Sequence, residues 1–166
     1  KDGRVKPDVV APGTYIASAR VNNTDIGAII NDNYTYLSGT SMACPHVAGA
    51  AALFIQYYRE RFGCDPEPSM VKAALINTAD DIGYGYMSRE AGWGRINLTA
   101  LLLSNLSFVE GSVSNMEEIL MNITVGNKSS PLRITLAWSD PPATPNAVYT
   151  LVNNLDLSLV TPDNTT

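Results

Sequence analysis

Leu37-Ser38-Gly39-Thr40-Ser41-Met42-Ala43-Cys44-Pro45-His46-Val47-Ala48-Gly49 decides how this chain is read. It sets a serine on a glycine-flanked turn directly ahead of an apolar helical run. A serine hydroxyl attacks a carbonyl only when a base takes its proton and nearby donors receive the oxyanion. A helix N-terminus meets the second need, because its first N–H groups lack intrahelical partners and carry the positive end of the dipole. Ser41 therefore reads as a candidate nucleophile, supported by Gly39 and Thr40. Taken alone, a G-T-S before a helix is more often a simple N-cap turn, so the assignment depends on its surroundings.

Working outward, Tyr34-Thr35-Tyr36-Leu37 reads as the strand that delivers the chain to the turn. After it, Ala48-Gly49-Ala50-Ala51-Ala52-Leu53-Phe54-Ile55 is apolar all round, the pattern of a helix buried on every side. Polarity arrives at Gln56, Arg59, Glu60 and Arg61, and Gly63 offers a C-terminal stop. A second helix is expected from Ser69 as N-cap through Ile76, and a short third over 98–103. Strand, turn and buried helix together predict a layered α/β fold.

From about residue 105 the period changes from 3.6 to 2. Ile119, Met121, Ile123 and Val125 alternate with polar residues, as do Leu132, Ile134, Leu136 and Trp138, and then Leu155, Leu157 and Leu159. Three half-buried strands are expected. The prolines of Ser139-Asp140-Pro141-Pro142-Ala143-Thr144-Pro145 place a loop between the second and third.

His46 is the only histidine in the chain and tempts assignment as the base. Five residues on a helix advance about 500°, a net 140°, which turns the two side chains apart. It is expected to be a packed structural residue. In a single helix Cys44 and Cys64 would lie about 27–30 Å apart, against a Cα limit near 7 Å for a disulfide. They are not expected to pair with each other, and Cys44 reads as a small buried filler.

The serine segment resembles the G-T-S-M-A-x-P-H-V-A-G motif of the subtilisin-like serine proteases, the subtilases, at every fixed position. Lys6-Pro7-Asp8-Val9-Val10-Ala11-Pro12-Gly13 is similar to the run that precedes the serine in that family. Leu75-Ile76-Asn77-Thr78-Ala79 and Gly92-Trp93-Gly94-Arg95-Ile96-Asn97 are similar to its closing helix and turn. The resemblance covers residues 1 to about 104 and implies the C-terminal part of a three-layer, parallel-sheet peptidase domain. Residues 105–166 resemble the first strands of an antiparallel β-sandwich, or jelly-roll, domain appended to some subtilases. Its Leu151-Val152-Asn153-Asn154-Leu155-Asp156-Leu157 has asparagine at the fourth place where that domain has aspartate.

The resemblance implies a serine endopeptidase that hydrolyses polypeptides through an acyl-enzyme on Ser41, with Thr40 and Gly39 beside the oxyanion. The family's catalytic histidine and aspartate belong to upstream segments that have no match here, so the chain is expected to be a fragment, inactive alone, whose partner is the upstream part of the same domain. Asp8 matches a structural position. The alternative is a subtilase-derived scaffold for binding or adhesion. An esterase elbow, G-x-S-x-G, is disfavoured because Ala43 stands where the second glycine would be. The chemistry requires no cofactor or metal. A structural calcium is possible in the parent, with oxygen ligands from the Asp140 loop and 153–156.

Composition narrows the partners. Hydrophobic residues make up 45% and charged residues 16%, which supports a packed core rather than disorder. The longest apolar run, Val47 to Ile55, falls far short of the roughly 20 residues that span a bilayer. A net charge of −5, with unclustered basic residues, leaves no footprint for nucleic acid. Asn22, Asn33, Asn97, Asn105, Asn122, Asn127 and Asn164 each begin an N-x-S/T sequon, seven where about two arise by chance. That excess points to a secreted glycoprotein.

Overall fold

The computed structural model describes residues 4–126 and 131–161. The sequons at Asn127 and Asn164 lie outside them. Three short strands come first: β1 (Ile16–Ala19), β2 (Ala28–Ile29) and β3 (Tyr34–Leu37). They form an antiparallel sheet in the order β1-β3-β2, with Ile16 opposite Leu37 and Ala28 opposite Tyr36. Thr35 is the buried member of β3, and its hydroxyl meets the carbonyls of Ile26 and Ala28 at 2.9 and 3.2 Å.

The parallel sheet implied by the family resemblance is represented among the described residues by a single bridge, Val10 with Arg95. Only four residues link β2 to β3, too few for the crossover that parallel neighbours need, so those two pair as a hairpin, and β1 adds antiparallel to the other edge of β3.

Helix α1 (Thr40–Phe62) ends at Gly63, whose φ of 76° lets its N–H reach back to the Arg59 carbonyl at 2.9 Å. Ala50, Phe54 and Tyr58, spaced by four, bury one face of it against Met70, Ala74 and Leu75 of α2 (Pro68–Asn77) and Leu101 of α3 (Leu98–Leu103). The opposite face is open: Ala48 and Ala52 are exposed, and Leu53 keeps 45% of its surface in solvent. The expectation of burial on every side is therefore not met among the described residues. Apolar composition permits such burial, but covering elements must supply it.

Helix α2 begins two residues earlier than expected. Glu67, not Ser69, is its N-cap, without a side-chain cap bond. Pro68 takes the first helical position, where its fixed φ fits and its missing N–H costs nothing.

The three alternating stretches beyond residue 105 form no ladder among the described residues, and Ile119, Met121, Ile123 and Val125 stay about half exposed. Alternation fixes which side chains share a face. A strand also needs a neighbour for its N–H and C=O groups, and none is placed beside these.

Other contacts hold this part of the chain. The Phe108 ring lies 5.6 Å from both Phe54 and Tyr58 and 6.0 Å from Phe62, all on α1. Arg133 donates to the carbonyls of Asn77 and Ala79 at the end of α2, at 2.7 and 2.9 Å, and stacks over Tyr86. Asn77 returns its amide to the Arg133 carbonyl and the Thr135 hydroxyl.

Candidate active site

The chain enters the serine turn through Gly39, whose φ of 151° favours glycine. Its N–H donates to the Gly13 carbonyl at 2.7 Å, and its carbonyl accepts from Met42 and Ala43. Gly13 has no room for a side chain: a Cβ there would lie 2.8 Å from the Gly39 oxygen. The Tyr15 N–H donates to the Ser38 hydroxyl at 2.8 Å, a second tie between the 13–15 loop and the turn.

Thr40 and Ser41 occupy the first turn of α1, both exposed. Among the described residues their N–H groups find no acceptor and the Ser41 hydroxyl has no partner. Two unpaired donors at a helix start, beside an accessible hydroxyl, form a setting that favours developing negative charge. Pro45, inside the helix, has no N–H to return to the Ser41 carbonyl, so that carbonyl is also without its usual helical partner.

His46 does not face this serine as a base. Its ring Nδ1 donates to the Met42 carbonyl at 2.8 Å, and the side chain is exposed. The expected turning away from Ser41 fits this bond, but the expected packing does not. Cys44, expected as a buried filler, is also exposed. Both belong to the part of α1 that no described element covers. Cys44 and Cys64 are free, as the length of the helix requires.

The outlying sequence blocks converge on this platform. Val10 donates to Gly94 at 2.9 Å and accepts from Ile96 at 3.0 Å, and the Trp93 N–H reaches the Asp8 carbonyl at 2.9 Å. Gly92, at φ 61°, passes so close that a Cβ would overlap the carbonyls of Pro7 and Asp8. The Asp8 carboxylate pairs with Lys6 at 2.6 Å and Lys72 at 3.5 Å. Partial burial pushes its pKa up, but the Lys6 hydrogen bond and the Lys72 charge outweigh this and hold it below the ordinary 3.8. Asp8 braces the platform.

Asn97 has a role that sequence reasoning missed. It caps α3, accepting from the Ala100 N–H at 2.8 Å, while its Nδ2 donates to both Asp80 oxygens at 3.1 and 3.0 Å. An asparagine directly before Leu98-Thr99-Ala100-Leu101 was the available signal. The Asp140 carboxylate accepts from the Val152 and Asn153 N–H groups and the Asn153 amide at 2.7–3.0 Å, which lowers its pKa. These bonds make it a fastener between two loops. Among the described residues no three His, Cys, Asp or Glu side chains gather as a metal site.

A cleft of about 550 Å³ lies elsewhere, between Ile76, Tyr86, Trp93, Trp138 and Leu155, and takes no residue from the serine turn.

Residues 1–94 match the family profile described as the subtilase family, Peptidase_S8. The chain belongs to the subtilase family. This subtilase segment is 33% identical over 189 aligned positions to the serine protease/ABC transporter B family protein tagA of Dictyostelium discoideum, covering 96% of the chain and 11% of that protein. It is 42% identical over 76 positions to the subtilisin-like protease SBT2.6 of Arabidopsis thaliana, covering 45% of the chain and 9% of the relative. Among solved structures it is similar to fervidolysin from Fervidobacterium pennivorans, a keratinolytic enzyme related to subtilisin. The TM-score there is 0.47 at 32% identity, over 60% of this chain and 16% of that one. The chain thus spans about a tenth of the length of these curated relatives. No described helix of the subtilase segment is long and apolar enough to cross a membrane.

Proposed function

We propose that this chain is the serine-bearing part of a secreted subtilase endopeptidase acting on polypeptides. One observation carries the reading: Ser41 sits exposed in the first turn of α1 with its own N–H unpaired, on a turn fastened by Gly13 and Gly39. Ser41 attacks the scissile carbonyl, and its N–H, with Thr40 and Gly39 framing the turn, receives the oxyanion. Residues outside this sequence supply the base and its orienting acid, because His46 is committed to the Met42 carbonyl. The acyl-enzyme is then released by water. The 166 residues alone have no peptidase activity, since a protonated serine without a base keeps only the weak catalysis of binding and oxyanion support. The seven sequons support a secretory route. Calcium, if the parent holds it, serves structure near Asp140 and 153–156. The test treats the complete protein with a fluorophosphonate probe. Labelling of Ser41, and loss of both labelling and turnover in Ser41→Ala at unchanged melting temperature, is expected. Labelling that persists in Ser41→Ala refutes the assignment.

A further inference from the structure

Two sequons meet at one end of the small sheet. Backbone pairing continues beyond β1 and β3, with the Arg20 N–H donating to the Asn33 carbonyl at 2.7 Å. The turn beyond is pinned by the Arg20 guanidinium, whose Nε and Nη2 donate to the Thr24 carbonyl at 2.9 and 2.6 Å, and by the Thr24 hydroxyl on Val21. As a result Arg20, Asn22, Asn23, Asp32 and Asn33 line one open polar hollow. Asn22 and Asn33 are exposed, and their side-chain amides bond to no described residue. From Asn33 the strand runs about 13 Å to Leu37, at 3.3 Å per residue, before the serine turn begins.

Asn97 is the contrast. It is half-buried, with its amide nitrogen committed to Asp80 and its oxygen to the helix cap. A sugar on that nitrogen would collide with the Asp80 contact and loosen α3, so folded protein would be drawn from chains lacking it.

We propose that Asn22 and Asn33 form a paired N-glycan site that keeps this end of the sheet facing solvent in the complete protein, whereas Asn97 stays unmodified. The inference rests on the secretory reading above. In the transfer, Asn Nδ2 forms a bond to the anomeric carbon of an N-acetylglucosamine-led oligosaccharide carried on a lipid pyrophosphate. The anomeric C–O bond to the pyrophosphate breaks, the lipid pyrophosphate leaves, and the amide loses one proton. Thr35 of the Asn33 sequon is buried in the sheet, so transfer there precedes the pairing of β3.

The complete protein, given a secretory leader and collected from the medium of a cultured eukaryotic cell, is digested after enzymatic deglycosylation in heavy-oxygen water. Labelled aspartate is expected at positions 22 and 33 and unlabelled asparagine at 97. Asn22→Gln and Asn33→Gln should each speed migration by one glycan on a denaturing gel, and Asn97→Gln should not. Sugar at Asn105 or Asn122 with none at 22 or 33, sugar at 97, or no sugar anywhere overturns the proposal. The same mapping on protein from its own cells tests the secretory reading separately, since a sugar-free intracellular protein there refutes that reading alone.

Discussion

Phe54 is fully buried, and the Phe108 ring meets it at 5.6 Å with planes inclined at 61°. Phe108 follows α3 in the chain, so this contact reports whether the residues beyond 104 pack on the helix that begins at the candidate nucleophile. Truncating Phe54 to alanine removes a buried aromatic and leaves a cavity, a loss of about 3–5 kcal/mol. An aromatic pair of this geometry adds about 0.5–1.5 kcal/mol beyond burial. Native-state hydrogen exchange on α1 peptides of the complete protein, with closing faster than exchange, reads both. Phe54→Ala should speed exchange about 100- to 4,000-fold, at 1.4 kcal/mol per decade. Combined with Phe108→Ala, the double variant should exchange about two- to twelve-fold more slowly than the product of the single effects, because the second truncation removes a contact already lost. Agreement with the product within about 1.5-fold would show that the rings do not touch, and the packing of residues beyond 104 on α1 would fall with it.

Gly92→Ala places a Cβ against the Pro7 and Asp8 carbonyls at a positive φ. Strain and overpacking together should lower stability by about 3 kcal/mol or more, and an unchanged melting curve would refute the close approach. Asp8 has a folded pKa below its ordinary 3.8. Its stabilisation is therefore complete above that value and is lost as pH falls through the lower folded one. Asp8→Asn should be less stable than the parent at pH 6, with the gap closing below 3.8 in acid-unfolding curves; a gap that widens in acid contradicts the lysine clamp. His46→Gln breaks one exposed bond to the Met42 carbonyl. Melting temperature should barely change and turnover persist, whereas a loss of about 10⁴-fold would make it a catalytic base.

The elements that local chemistry specifies were legible. Tyr34–Leu37 and Leu98–Leu103 appear with the bounds read from sequence, and α1 starts within a residue of its expected serine and stops at Gly63. What sequence could not show is which surfaces meet. The apolarity of Ala48 and Leu53 says that they tolerate burial, not that a neighbour covers them, so Cys44 and His46 on the same stretch were also misplaced. Period-two alternation around Ile123 and Leu136 fixed side-chain facing but could not supply a pairing partner. Pro68 outranked Ser69 because a rigid backbone decided the start of α2 where a hydroxyl was expected to. At the serine turn, the motif located Ser41, but the anchoring of Gly39 by Gly13 and the bracing of Asp8 are contacts that no local pattern encodes.

The Val10 bridge to Gly94 and Ile96 joins residues more than eighty positions apart. Closing a flexible loop of that length carries an entropy cost of about 4 kcal/mol, apart from the constant. During synthesis the serine turn leaves the ribosome more than fifty residues ahead of Ile96, and through that interval the loop carrying Gly13 has no far wall to rest against. Helix α1 can form early from local contacts, but the backing of the Gly13 loop waits for residues 94–96 to arrive. A nascent chain therefore displays the Ser41 hydroxyl before the contacts between residues 10 and 94–96 that back the Gly13 loop exist.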